Sequence, residues 1–405
     1  MKNVLFLQSP LGTFFKYMAN HFSTHGHKTF KINFNGGDRV YAGADHQFDY
    51  QGKTADWGKY IMSFIDEHNI SDLVLYGDCR FYHRVAITVA KAKGIKVWCF
   101  EEGYLRAGFI TLEQDGCNAY STLNCSLDTI QSTVAKPVKS EVQVGPTFKK
   151  RLWYAVRYYI AATLTQNEFP HYEHHRPWSS WQECCFWLNN FKQKLTSKVK
   201  DIGVKRHVFR KFDQKFFLLP LQVQVDYQLR EHSPFSSVEE VIKHVVISFA
   251  KNANKAEALL IKHHPQDRGF FNYRKLIKRL ALQHNLMDRV FYVHDVNLPD
   301  IYRHAKGVVT VNSTVGISSL IHHLPTMTLG KALYDIEGIT YQGSLNDFWT
   351  SNFTVDEELF AKFHSHVQQQ TQIPGDFYKG RRRLIDRVYD VIQSSPKISE
   401  IRKAS

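Results

Sequence analysis

Between Phe216 and Asp226 the chain reads FFLLPLQVQVD, a run in which Phe216, Phe217, Leu218, Leu219, Leu221, Val223 and Val225 are apolar. A short apolar run of this kind reads as a buried strand. It ends in a carboxylate, Asp226, followed by the polar stretch QLREHSPFSS. Open α/β sheets place their ligands beyond the carboxyl ends of parallel strands, so this stretch argues for such a sheet with chemistry at its end. Taken alone, Asp226 is equally an ordinary strand-end or helix-capping residue. What favours chemistry is the rest of the second half, which repeats the pattern with polar residues at every strand end.

The first half has the same rhythm. VLFLQ (4–8) predicts a strand, TFFKYMANHFSTHG a helix ending at Gly26, and KTFKINFN a second strand. DLVLYGD (72–78), the helix RFYHRVAITVAKAKG and the strand KVWCFEEGYLR (96–106) follow. Strands alternating with helices imply parallel βαβ units with right-handed crossovers. Gln8-Ser9, Gly77-Asp78 and Glu101-Glu102-Gly103 then converge on one sheet edge. Residues 130–215 break the rhythm with helices rich in Trp, Tyr, Phe, Lys, Arg and His. From Phe216 the alternation resumes through the strands ALLIKHHP (258–265), RVFYVHD (289–295), VVTVNST (308–314) and TMTLGK.

The fold class expected is α/β: two Rossmann-like domains facing a cleft, with a helical aromatic and basic segment between them. The expected boundaries are 1–130, 131–215 for the middle segment, 216–365, and a tail at 366–405 whose amphipathic helix packs back on the first domain. A length of 405 residues accommodates two such domains. No apolar run approaches the roughly 20 residues that span a bilayer, and MKNVLFLQSPLG is too short in apolar core for a signal peptide. Six cysteines without metal-ligand spacing suggest a reduced, cytosolic protein. No G-x-G-x-x-G or Walker A loop is present, which argues against nicotinamide enzymes and P-loop ATPases.

The formal charge is +14, and residues 148–215 hold 14 Lys/Arg against 5 Asp/Glu. Such a concentration implies an anionic partner: nucleic acid, an acidic membrane face, or a phosphorylated or carboxylated substrate.

Three constellations carry candidate chemistry. VVTVNSTVG places Asn312, Ser313 and Thr314 at a strand-to-helix junction, an anion site or an ordinary Ser/Thr cap. LLIKHHP puts Lys262, His263, His264 and Pro265 at another strand end, where Lys neutralises charge and His donates to a phosphate. EEGYLR sets Glu101 and Glu102 beside Gly103, and one carboxylate of such a pair, its pKa raised, can serve as general base. A solvated acidic turn is the other reading. No DxD-like cluster offers a divalent-metal site, which suits a donor whose leaving phosphate is stabilised by protein dipoles.

QSPLGTFF, NFNGGDR, YGDCR, FEEGYLR, QVQVD, IKHHPQDRG, VNSTVGISSLIH and ALYDIEGITYQG together resemble the capsule polysaccharide biosynthesis family, and within it the KpsS/LipB-type β-Kdo transferases of Gram-negative bacteria. The resemblance runs from about residue 4 to residue 350. It implies a glycosyltransferase-B-like, retaining enzyme that takes Kdo from CMP-β-Kdo without a metal or other cofactor. Its implied acceptor is phosphatidylglycerol or its lyso form, and its product starts the capsule linker. Gln222 and Asp226 fit the Q-x-x-x-D spacing in which the Asp is the proposed nucleophile of related transferases, which implies double displacement, a single-displacement front-face route being the alternative. The His-Pro motif maps onto His264 and Pro265 for CMP, and the Ser/Thr motif onto Ser313 and Thr314 for phosphate. The Glu-Glu-Gly motif maps onto Glu101 to Gly103 as acid/base, the first Glu preferred. Lys262 and Arg106 are candidates for the Kdo carboxylate on charge alone.

With that implied acceptor, the basic middle segment suggests peripheral binding to the anionic inner membrane on its cytoplasmic side, with other capsule-biosynthesis or export proteins as further partners. Trp153, Trp178, Trp181 and Trp187 lie there, and Trp with Lys and Arg suits a lipid interface. An ordinary helical insertion with core aromatics is the alternative. The rival functions are a non-catalytic lipid- or polysaccharide-binding subunit of the export machinery and a transferase using another CMP-sugar. A nucleic-acid-binding protein would show a recognised motif, and none is present.

Overall fold

The computed structural model describes residues 1–105, 108–136, 145–174, 180–224, 233–265, 267 and 269–394. Its strands in chain order are β1 (Asn3–Phe6), β2 (Lys28–Asn33), β3 (His46–Asp49), β4 (Asp72–Tyr76), β5 (Lys96–Glu102) and β6 (Phe109–Gln114), followed by β7 (Phe216–Pro220), β8 (Ala258–Lys262), β9 (Val290–Val293), β10 (Ala305–Thr310), β11 (Thr326–Thr328) and β12 (Gln372–Pro374). The chain forms two compact units. Unit 1 comprises Met1–Leu123, Pro137–Pro177 and Val367–Ser405; unit 2 comprises Asn124–Lys136 and Trp178–His366.

The sheet of unit 1 has the order β12-β6-β5-β4-β1-β2-β3, and that of unit 2 the order β11-β10-β7-β8-β9. Read from the other edge, each sheet begins third-second-first-fourth-fifth, so the strand order reverses beside β1 in unit 1 and beside β7 in unit 2. All neighbours in unit 2 are parallel. In unit 1, β3 to β5 are parallel, whereas β6 is antiparallel to β5 and β12 to β6. An all-parallel first sheet is therefore corrected. The connection after β5 is too short for a parallel crossover, which needs a dozen or more residues, so the chain must turn back on itself.

Both central strands are covered on two faces. Val4 and Phe6 enter one cluster and Leu5 and Leu7 another. Phe217, Leu219 and Leu221 pack on one side of β7 and Phe216 and Leu218 on the other. This is why these strands lack polar alternation. However, β7 stops at Pro220 instead of running to Asp226. Leu221 still donates its N–H to Lys262 O at 2.9 Å. Beyond it, side chains take the place of the ladder: Gln224 donates its N–H to the Asp267 carboxylate at 2.7 Å.

The aromatic, basic stretch is shared between the units. Helix Phe148–Leu164 lies in unit 1, where Tyr154 is buried and Tyr41 Oη donates to Tyr154 O at 2.8 Å. Helix Ser180–Lys211 lies in unit 2. There the buried Asp201 carboxylate accepts the N–H groups of His294 and Asp295, at 2.7 and 2.6 Å, just past β9. No helix among the described residues is long and apolar enough to cross a membrane.

The tail helix Arg381–Ser394 places Leu384, Ile385, Val388 and Ile392 in the cluster of Phe14, Met18 and Phe22. Lys2 Nζ donates to Ile392 O at 2.8 Å, tying the tail to the first strand. Leu384→Ala should cost about 2–5 kcal/mol through the cavity it leaves, read as a lower urea midpoint. Arg382→Ala, at an exposed position of the same helix, should stay within about 0.5 kcal/mol.

Candidate functional site

Where strand order reverses, neighbouring chains leave the sheet toward opposite faces and open a crevice at the carboxyl ends, the usual ligand position in such folds. In unit 1 that crevice lies between β1 and β4. Arg80, four residues past β4, donates Nη1 to Gln8 Oε1 at 3.3 Å and lies over the Tyr76 ring at 5.8 Å. Gln8, 4% exposed, donates Nε2 to Asp38 at 3.1 and 3.3 Å. Asp38 is oriented from its own turn: Phe34 N–H donates to Oδ2 at 3.0 Å, and Asn35 Oδ1 accepts the Asp38 N–H at 3.0 Å. Lys31, beneath this cluster, donates Nζ to Leu7 O. Burial lowers its ammonium to about 8, with Asp38 opposing the shift and Arg80 adding to it.

At the end of β5 the pleat sends Glu101 and Glu102 to opposite sides. Burial pushes the Glu101 carboxyl up to about 7. The Glu102 N–H, donating to Glu101 Oε1 at 3.0 Å, opposes that shift, while the charges of Glu102 and Asp78 add to it and Arg80 counters it. Glu102 is exposed and pairs with Arg151 at 3.6 Å. Gly103 has no room for a side chain, since a Cβ there would sit 2.4 Å from Phe109 O. The tight return into β6 therefore requires this glycine. Behind the pair, Glu113 accepts from Tyr104 Oη at 2.5 Å and from Ser121 Oγ, and burial raises it to about 7.

In unit 2 the crevice lies between β7 and β10, and Gln222 and Asn312 bridge it. Gln222 Nε2 donates to Asn312 Oδ1 at 2.9 Å, and Asn312 N–H donates to Gln222 Oε1 at 3.4 Å. Ser313 Oγ accepts the Val315 N–H at 3.2 Å, while Ser313 O accepts from Gly316 N at 2.9 Å and from Tyr334 Oη at 2.5 Å. A Cβ on Gly316 would lie 2.2 Å from that phenol oxygen, so glycine permits the contact. Thr314 is the N-cap of the six-residue helix Val315–Leu320. Lys262 ends β8, buried, and its carbonyl holds Leu221. His263 is the buried histidine of the pair, its Nδ1 2.7 Å from Tyr292 Oη. His264 and Pro265 face the loop beyond, where His264 O accepts the Asp267 N–H at 3.1 Å.

An open cavity of about 610 Å³ lies past β11, with Ser233, His244, Thr328, Lys331 and Asp335 among its walls. Its volume suits a small organic ligand. Among the described residues, none of the site candidates singled out from sequence lines it. Even so, it abuts their junction, because Leu329 and Gly330 N–H groups both donate to Val311 O, at 3.2 and 3.0 Å.

The sequence-derived candidates thus separate into Glu101 and Glu102 in unit 1, and Gln222, Lys262, His264, Pro265, Asn312, Ser313 and Thr314 in unit 2. Asp226 and Arg106 lie outside the described residues. Sequence reasoning missed Arg80, Asp38 and Lys331. Only the YGDCR and NFNGGDR motifs and the polar strand end TMTLGK hinted at them.

Residues 71–378 match the family described as capsule polysaccharide biosynthesis protein. The chain is 40% identical over 377 residues to the capsule polysaccharide export protein KpsS of Escherichia coli, covering 93% of this chain and 97% of that protein. It is 38% identical over 384 residues to the capsule polysaccharide modification protein LipB of Neisseria meningitidis serogroup B, covering 93% and 92%. Among solved structures, KpsC of Thermosulfurimonas dismutans, a β-Kdo 2,7 transferase, aligns over 96% of this chain and 100% of that one, at TM-score 0.44 and 12% identity. With the family match running from β4 to past β12, and two relatives matched over nearly their full length, the chain belongs to the capsule polysaccharide biosynthesis protein family.

Proposed function

We propose that the protein is a retaining β-Kdo transferase that uses CMP-β-Kdo to place the first Kdo on phosphatidylglycerol or its lyso form, beginning the capsule linker. The observation that carries this reading is the place of Gln222. The first residue of QVQVD sits at the order reversal of the unit 2 sheet, where folds of this order hold their ligands. In this reading Asn312, Ser313 and Thr314, with His264 and Pro265, receive the CMP moiety. Lys262 offers a cation to the donor's anionic groups. The lipid and an anionic inner-membrane surface are the partners, reached from the cytoplasm, with capsule-biosynthesis or export proteins beside them.

The chemistry is double displacement. The Asp226 carboxylate attacks the anomeric carbon and the bond to the phosphate breaks, CMP leaving with the electron pair. The acceptor oxygen then attacks that carbon, Glu101 takes its proton, and the Asp226 carboxylate leaves. Two inversions restore the β configuration. A carboxyl held near pKa 7 is matched to a proton transfer at neutral pH, which favours Glu101 over the exposed, Arg151-paired Glu102.

The first test is transfer from CMP-β-Kdo, generated in situ, to a fluorescent lyso-phosphatidylglycerol, read by mass spectrometry. Wild type should add one Kdo and Asp226→Ala none. Undiminished product from the variant removes Asp226 from the mechanism, and no product from a CMP-binding wild type points to another sugar or acceptor. With CMP-β-Kdo made beforehand and its synthesising enzyme removed, EDTA should leave the rate unchanged; loss of transfer restored by a divalent cation would overturn the metal-free reading.

Glu101 acts as a base only when ionised, so the rate should climb as pH rises through about 7. Glu101→Gln should lower it by about 10²–10⁴-fold and flatten that limb. A variant that kept the wild-type pH profile would assign the proton transfer to another group.

A further inference from the structure

The helix Phe148–Leu164 buries one side only. Tyr154 enters the unit 1 core beside Tyr41, and Tyr158 Oη accepts from Asn35 Nδ2 at 2.8 Å. The other side carries Phe148, Leu152, Trp153, Val156, Ile160 and Leu164, exposed by 63, 40, 59, 41, 54 and 80%. At 3.6 residues per turn these six fall within about half the helix circumference. Single exposed apolar residues are ordinary, whereas a continuous stripe four turns long marks a surface that something covers.

Cations gather around the N-terminal end of that stripe. Lys149 is exposed on the helix itself. Lys150 donates Nζ to Tyr378 O at 2.7 Å, and the Arg151 guanidinium lies 5.1 Å from the Tyr378 ring centroid. These contacts hold the turn before the tail helix alongside; Lys379 in that turn and Arg382 and Arg383 in the first turn of the tail helix are exposed. The nearby Asp376, half-buried, caps its own turn, accepting the N–H groups of Tyr378 and Lys379 at 2.8 and 2.9 Å.

We propose that this face docks on an anionic phospholipid bilayer. The six apolar side chains enter the boundary between head groups and acyl chains, and Lys149, Lys379, Arg382 and Arg383 meet lipid phosphates. An apolar stripe bearing Trp and rimmed by cations is the pattern of a helix lying in the interface plane. A second copy of the chain fits less well, since a symmetric contact through this face would bring like-charged rims together. The face is also placed for the reaction. Arg151, beside Leu152, bridges to Glu102, so the docked surface lies one residue from the contact that reaches the strand end bearing Glu101. That last point rests on the transferase reading; the docking does not.

The test is co-sedimentation of the full chain with phosphatidylcholine vesicles, with and without phosphatidylglycerol. Wild type should bind the vesicles containing phosphatidylglycerol. The double variant Leu152→Glu/Ile160→Glu should lower the partition coefficient by at least about tenfold. The triple variant Lys379→Glu/Arg382→Glu/Arg383→Glu should lose the preference for phosphatidylglycerol. Met62→Glu, at an exposed apolar position on helix Trp57–Glu67, should bind as wild type, and unchanged urea midpoints identify the variants as folded. Wild type that binds neither vesicle, or a folded double variant that binds as well as wild type, overturns the proposal. So does a double variant that dissociates a dimer in light scattering while still binding vesicles, because the face would then belong to a second copy. Vesicle binding is read without sugar transfer: a wild type that docks but transfers nothing would sink the transferase reading and leave this one standing.

Discussion

Reversal of strand order beside β1 and beside β7 is the constraint on which both candidate sites depend. A parallel sheet satisfies its backbone groups along the ladder, but where the order reverses the two central chains diverge and their last groups need other partners. In unit 1 the Arg80–Gln8–Asp38 chain of hydrogen bonds occupies that position. In unit 2 the reciprocal amide pair of Gln222 and Asn312 does. Buried polar networks of this kind are stabilising only when each member is satisfied. In unit 1 the turn before Asp38 adds the Phe34 N–H to its carboxylate, and in unit 2 Asp267 takes the N–H of Gln224, two residues past the amide pair. The geometry that makes the crevice available to a ligand is the same geometry that obliges polar side chains to line it.

Burial then differentiates chemically identical residues. Glu101 and Glu102 are neighbours in sequence, yet the pleat turns one toward Asp78 and Arg80 and the other toward solvent and Arg151. One carboxyl titrates near neutrality and the other is a surface ion-pair partner. The two histidines of the KHHP motif divide similarly. His263 is locked against Tyr292, and His264 is left at the loop.

Helix Phe148–Leu164 links the site to the surface. It contributes Tyr158 to the Asp38 network, Arg151 to the end of β5, and an apolar stripe to solvent. The tail helps to hold this helix in place. Tyr378 receives Lys150 and Arg151, while the apolar side of Arg381–Ser394 closes over the first helix.

Much of the fold was legible because burial on two faces leaves a local signature. FFLLP and VLFL read as interior strands from their unbroken apolar runs, and the tail announced an amphipathic helix through Leu384, Ile385, Val388 and Ile392. The family was legible from the order of its motifs. What lacked a local signature was any feature made by residues distant in the chain. The early end of β7 depends on Asp267, the antiparallel edge on a strand from the tail, and the Gln222–Asn312 and Gln8–Arg80 pairs on strands brought together by the crossovers. Sequence alone determined which segments must be buried and which residue types end the strands, because both follow from side-chain polarity at a fixed period. Tertiary structure decided which of those residues meet and which carboxyl loses its water, because hydrogen bonding and desolvation depend on neighbours that the chain supplies only once folded.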